Sequence, residues 1–146
     1  MRVVLDTNIL VRAARAGSPA REVFDLLLYS PHALIGSRFI LDELARVMRY
    51  PRLQRVHGLS DAEIDRHVQD VEIAVSVVDL PQDPTAVVTA DPADDPIVST
   101  AMHGNADVIC TLDRHFRTTD VLAHCAKSGV RVLTDIELLA ELRALP

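Results

Sequence analysis

Five short, largely apolar runs punctuate the chain, and the intervals between them carry helix signals. The runs are Arg2–Leu5, Ala33–Gly36, Ser76–Leu80, Val108–Thr111 and Val130–Leu133. Their apolar residues are mostly consecutive rather than alternating, which marks strands covered on both faces. After the first run, Asp6-Thr7-Asn8 ends the strand and a helix follows through Ala14. Ser18-Pro19 supplies an N-cap and a proline for the first helical turn of a helix over Ala20–Tyr29. Ser37 caps a helix that runs to about Arg49 and is halted by Pro51. Ser60-x-x-Glu63 and Thr134-x-x-Glu137 are capping boxes, opening helices that reach about Ala74 and Leu142. Pro81–Ala93 reads as a loop, Pro96–His103 as a helix stopped by Gly104-Asn105, and Asp120–Lys127 as a further helix. Strands alternating with helices dictate an α/β architecture: three α/β/α layers around a central, mainly parallel sheet of about five strands. The 146 residues suit one domain, 1–146.

That architecture needs a core, and composition says what builds it. Hydrophobic residues make up 49% and aromatics only 3%, with no tryptophan, so Leu, Val, Ile and Ala must fill the interior. The same scarcity argues against a nucleic-acid platform of stacked rings. No run approaches the ~20 apolar residues of a membrane span, and the N-terminus enters a strand at once, without a secretory h-region. A cytoplasmic location is expected, with Cys110 and Cys125 as reduced, buried thiols. No Cys/His spacing suits zinc. The net charge of −6 argues against tight non-specific nucleic-acid binding. It does not forbid a local basic groove, for Arg46, Arg49, Arg52 and Arg55 fall within ten positions.

Ligands of parallel α/β sheets bind beyond the carboxyl ends of the strands, and acids gather there. Asp6 directly follows the first strand, Asp113 follows the fourth by two residues, and Asp95 opens the helix that leads into the fourth. Glu43 lies one to two turns into the helix after the second strand. Two carboxylates about 5 Å apart at an effective dielectric near 20 repel by about 3 kcal/mol. A cluster of four therefore calls for a cation, and carboxylate oxygens suit Mg²⁺ or Mn²⁺. Such an ion activates water and stabilises a phosphoryl group, which points to phosphoester hydrolysis.

Four segments together resemble the PIN domain family. They are Val3-Val4-Leu5-Asp6-Thr7-Asn8, Asp42-Glu43-Leu44, Asp94-Asp95-Pro96-Ile97-Val98-Ser99-Thr100-Ala101, and Ala106 through Phe116 with Thr111-Leu112-Asp113 at its centre. The resemblance implies metal-binding, catalytic roles for Asp6, Glu43, Asp95 and Asp113, with Asn8 and Thr111 supporting them by hydrogen bonds. Asp94 and Asp95 compete as N-cap and ligand; the resemblance puts the ligand two residues before Ile97, at Asp95. It further implies a Mg/Mn-dependent endoribonuclease cleaving single-stranded RNA with metal-activated water. The toxin of a toxin–antitoxin pair is the implied role, with a small antitoxin as partner and often a homodimer. His115 departs from the pattern, since many relatives carry an acid there; the alternatives are a second metal that is bound weakly or not at all, or a substrate contact by His115.

Bland readings stand beside these. Asp6 can serve as a plain helix cap, Glu43 as a solvated helix residue and Asp113 as a turn former. Asp107 is expected to cap the entrance to the fourth strand, and Asp42 to be exposed. Arg46, three residues after Glu43, shares its side of the helix and is a candidate phosphate contact. A catalytically silent PIN-like module that binds RNA or protein is the main rival. A receiver-like signalling domain fits less well, because Asp6 stands alone and the only lysine, Lys127, falls in a helix.

Overall fold

The computed structural model describes residues 1–81 and 95–145. The expected loop over Pro81–Ala93 falls, apart from Pro81, outside the described residues. Five strands form one sheet: β1 (Arg2–Leu5), β2 (Ala33–Ser37), β3 (Ser76–Val78), β4 (Val108–Cys110) and β5 (Arg131–Leu133). Their order is β3-β2-β1-β4-β5 and every pairing is parallel. The helices are α1 (Thr7–Ala13), α2 (Pro19–Leu28), α3 (Arg38–Val47), α4 (Pro51–His57), α5 (Asp61–Ala74), α6 (Pro96–His103), α7 (Thr119–Lys127) and α8 (Asp135–Ala144). This is the expected three-layer α/β/α arrangement.

The two central strands explain the burial pattern. Val3, Val4 and Leu5 of β1 and all of β4 are buried, as consecutive apolar residues on a doubly covered sheet must be. Helix α6 packs over β1, β2 and β4, α2 packs on α1 and α8, and α3 bridges α1 and α5. The amphipathic helices follow their sequence periods: Ala20, Val23, Phe24 and Leu27 of α2 point inward, as do Ile64, His67 and Val71 of α5. Both capping boxes form. Among the described residues no helix is long and apolar enough to cross a membrane.

Two local expectations are corrected. Pro51 does halt α3, but it also occupies the first turn of a further helix, α4, which ends at Gly58 with φ +66°. Its sequence gave no apolar stripe because none of its residues is buried. Ser37 stands at the N-cap of α3 without capping it. Its buried hydroxyl instead accepts a 2.9 Å bond from Thr100 Oγ1, tying β2 to α6. The Gly104-Asn105 stop after α6 forms, with Asn105 as its left-handed residue (φ 47°). Gly104 is needed for space: a Cβ there would run into Ile35 and stand 2.9 Å from the Thr100 carbonyl.

Candidate active site

The chain turns sharply where β1 ends, and the turn is what places Asp6. The Asp6 N–H still bonds to the Cys110 carbonyl (2.9 Å), continuing the β1–β4 ladder, while its side chain caps α1. Oδ1 accepts from the Thr7 N–H (2.7 Å). Oδ2 accepts from Asn8 Nδ2 (3.0 Å) and from Thr111 Oγ1 (2.6 Å). The residue is only 7% exposed. Burial pushes its carboxyl up to about 6; the bonds from Thr111 and Thr7 oppose that rise, and the negative charges of Glu43 and Asp113 add to it.

Thr111, one residue past β4, links two acids. Its hydroxyl donates to Asp6 and accepts the Asp113 N–H at 3.0 Å. Asn8 holds the same turn from the other side, its Oδ1 accepting the Leu112 N–H at 3.4 Å. Asp113 caps the short 3-10 turn Arg114–Arg117. One of its oxygens accepts both the backbone N–H (2.9 Å) and Nδ1 (2.8 Å) of the exposed His115. Glu43, half-buried on α3, accepts from the Thr7 hydroxyl, and the Arg46 guanidinium lies 3.9 Å from its other oxygen. Asp95 is itself the N-cap of α6, accepting from the Ile97 and Val98 N–H groups at 2.8 and 3.4 Å. Burial raises its carboxyl above the ordinary range against those two bonds, and Asp113 and Glu43 raise it further. Asp94 lies outside the described residues.

Asp6, Asn8, Glu43 and Asp113 line one cleft of about 1150 Å³; Asp95 and Thr111 do not line it. The four acids thus share one region and feel one another's charge. Among the described residues, however, no three acidic, histidine or cysteine side chains converge as a ready ligand set for an ion. Local donors account for the spread: Thr7 holds Glu43, His115 holds Asp113 and the start of α6 holds Asp95. The donor set still suits a hard cation, because all its charged atoms are carboxylate oxygens.

Sequence reasoning missed two residues here. Thr7 positions Glu43 through its hydroxyl, a contact between residues far apart in the chain. Asp135 lines the cleft and is 5% exposed. It lies just past β5 at the same sheet edge, but its place after the cap Thr134 made it read as a helix residue. The bland expectations fare as follows. Asp107 receives the Arg2 N–H at 2.7 Å and ties β4 to β1. Asp42 is exposed and pairs with Arg38. Cys110 and Cys125 are buried free thiols, both pushed up by burial.

The family model described as PIN domain matches residues 2–115 of the 146. That span holds Asp6, Asn8, Glu43, Asp95, Thr111, Asp113 and His115. No curated protein matches the chain. PIN domains as a class are nucleases and as a class work with divalent metals. With four-fifths of its length matched, near enough, and the parallel sheet to go with it, the chain belongs to the PIN domain family.

Proposed function

We propose that the protein is a divalent-metal-dependent endoribonuclease that hydrolyses single-stranded RNA, with Asp6, Glu43, Asp95 and Asp113 as its acidic centre. One observation carries the reading: Asp6 is a buried carboxylate, held by three donors, beside three further acids, Glu43, Asp113 and Asp135, on the same cleft. Holding charge there is costly unless a cation offsets it. Mg²⁺ or Mn²⁺ on these oxygens would supply an acidified water and offset charge at the phosphoryl group. The chain's own residues do the rest. Asn8, Thr7 and Thr111 fix the Asp6 oxygens, and the Thr111 hydroxyl also fixes the backbone at Asp113. No side-chain nucleophile is required.

The finer biological role follows from family resemblance: the toxin of a toxin–antitoxin pair, acting as a homodimer and restrained by a small antitoxin. A short open reading frame beside this gene, whose product blocks cleavage and binds the protein, is the expected finding.

The rival reading, a silent module, draws on the acids that do not converge. Incubation with single-stranded RNA and Mn²⁺ or Mg²⁺ separates the two. Cleavage is expected from the wild type and not from an Asp6→Asn, Asp95→Asn double variant or in EDTA. Cleavage that survives in the double variant means these acids are misassigned. Neither cleavage nor calorimetric Mn²⁺ binding by the wild type establishes the silent module.

A further inference from the structure

Basic residues share the cleft with the acids, and they are not paired with them. Among the described residues, seven arginines pair with carboxylates. Arg12, Arg15 and Arg52 line the cleft and, among the described residues, have no carboxylate partner. Exposed arginines ordinarily drift onto nearby carboxylates, and Asp6, Glu43, Asp113 and Asp135 line the same cleft. The separation follows from the fold. Asp6 caps the start of α1, whereas Arg12 sits in its last turn and Arg15 just beyond it. Six residues of helix put Arg12 about 9 Å further along the axis than the acid. Arg52 stands on the first turn of α4. Positive charge therefore flanks the acidic centre at a distance suited to phosphates neighbouring the one at the centre.

The rest of the cleft lining is largely apolar and carries one phenol ring. Tyr50, 46% exposed, is the N-cap of α4. Its carbonyl accepts the Leu53 and Gln54 N–H groups at 2.8 and 2.9 Å, and Pro51 stiffens the backbone after it. Val47, Leu53 and Val56 line the cleft with it, as does the exposed Ile136 of α8. The remaining candidate, His57, is already engaged: Nε2 contacts the Met48 carbonyl (3.0 Å) and Nδ1 accepts the Leu59 N–H (3.0 Å).

A polyanion with flat apolar units matches this surface on both counts. We propose that Arg12, Arg15 and Arg52 form a phosphate clamp for single-stranded RNA, with Tyr50 stacking on one of its bases. The inference rests on the ribonuclease reading for its ligand but concerns residues outside the acidic centre. A duplex keeps its bases stacked inside, so only an unpaired strand can offer one to Tyr50. Arginine suits the task because its planar fork grips phosphate in a fixed geometry. The clamp also reconciles RNA binding with a net charge of −6: the basic residues that matter are the ones not spent on ion pairs. Arg46, the arginine singled out by sequence, stands beside Glu43 and does not line the cleft.

Fluorescence anisotropy with a labelled oligouridylate, in EDTA so that nothing is cut, tests the clamp apart from catalysis. The Arg12→Ala, Arg15→Ala, Arg52→Ala triple variant should bind at least tenfold more weakly than the wild type. The slope of log K against log salt should flatten by about 0.7 for each arginine lost. Tyr50→Ala should weaken binding about fivefold or more at unchanged salt slope, and Tyr50→Phe should restore it. Arg55→Ala and Arg66→Ala, also unpaired but off the cleft, should bind as the wild type does. In Mn²⁺ the triple variant should show a raised KM with kcat within a few-fold. Wild-type cleavage with unchanged binding, slope and KM in the triple variant overturns the clamp and leaves the nuclease standing. Binding through the clamp without any cleavage leaves the clamp and removes the nuclease. An equal loss in the Arg55 and Arg66 controls, or tighter binding of duplex than of single strand, overturns the clamp, and a wild type that neither binds nor cuts overturns both.

Discussion

The two edges of the sheet handle polar groups in opposite ways. At the amino edge the strands are tied by backbone bonds between exposed or half-buried residues: Ala33 to Met1, Asp107 to Arg2, Arg131 to Asp107, at 2.8–2.9 Å. The charges there are matched in water, Asp107 taking the Arg2 N–H and Glu141 the Arg131 guanidinium. At the carboxyl edge polar groups are buried. Of the seven buried polar residues among those described, Asp6, Thr7, Ser37, Thr111 and Asp135 lie there, and Thr100 bonds to Ser37; His67 lies elsewhere. One edge closes the fold, and the other holds negative charge where solvent cannot screen it. A fold needs the first arrangement; only a function explains the second.

The sharpest way to break this comparison is to neutralise Asp6. Asp6→Asn should lower RNA cleavage at least a hundredfold, the scale of losing one electrostatic element of a phosphoryl-transfer site. It should also raise stability at pH 7 in the absence of divalent cation. A carboxyl pushed up to about 6 disfavours its ionised form by roughly 3 kcal/mol. Because the amide loses an acceptor, a gain of about 1–2 kcal/mol in urea titrations is expected. Lower stability with lower activity would make Asp6 a structural residue like Asp107.

Cation addition sharpens the same point. At a hundred times its Kd, Mn²⁺ should stabilise the wild type by about 2.7 kcal/mol and Asp6→Asn by far less. EDTA should reverse the shift. Equal stabilisation of the two proteins would place the ion elsewhere.

The pH dependence has a defined sign. The folded-state rise of Asp6 contributes stability below its ordinary range near 4, and that contribution is lost as pH rises through about 6. The advantage of Asp6→Asn over wild type should therefore be greatest at pH 7 and shrink toward pH 4. Working with the difference removes His67, which acts the other way. Burial lowers its pKa, so stability falls as pH drops below about 6.5 in both proteins. Measured melting temperatures that diverge on acidification would contradict the assignment.

Thr111→Val should cut activity about tenfold, move the acid limb of the activity profile to higher pH, and change stability little. The loss removes one of the bonds that hold the Asp6 carboxyl down. The smallest effect belongs to the other edge. Asp107→Ala should cost about 1 kcal/mol of stability and leave kcat/KM within twofold.

Much of this was legible before any coordinates. The alternation of apolar runs and capped helices specifies a parallel α/β sheet, since only that arrangement buries consecutive apolar residues of short strands. Asp6 and Asp113 could be placed at the carboxyl end of the sheet because strand ends are local features. Helix α4 escaped because a proline that stops one helix reads the same as one that starts the next, and no buried face announces the segment. The contacts of Thr7 with Glu43 and of Ser37 with Thr100 join distant positions, and no local pattern encodes them. That Arg12, Arg15 and Arg52 have no carboxylate partner among the described residues is likewise a property of what the fold keeps apart.

The Thr111 hydroxyl carries a final consequence. It is 1% exposed, donates over 2.6 Å to Asp6 and accepts from the Asp113 N–H. Its proton is shielded from exchange with solvent, so it should appear as a separate resonance in proton NMR spectra, where most hydroxyl protons are averaged away. A single line, read without substrate or label, would report how Asp6 ionises and when an ion arrives.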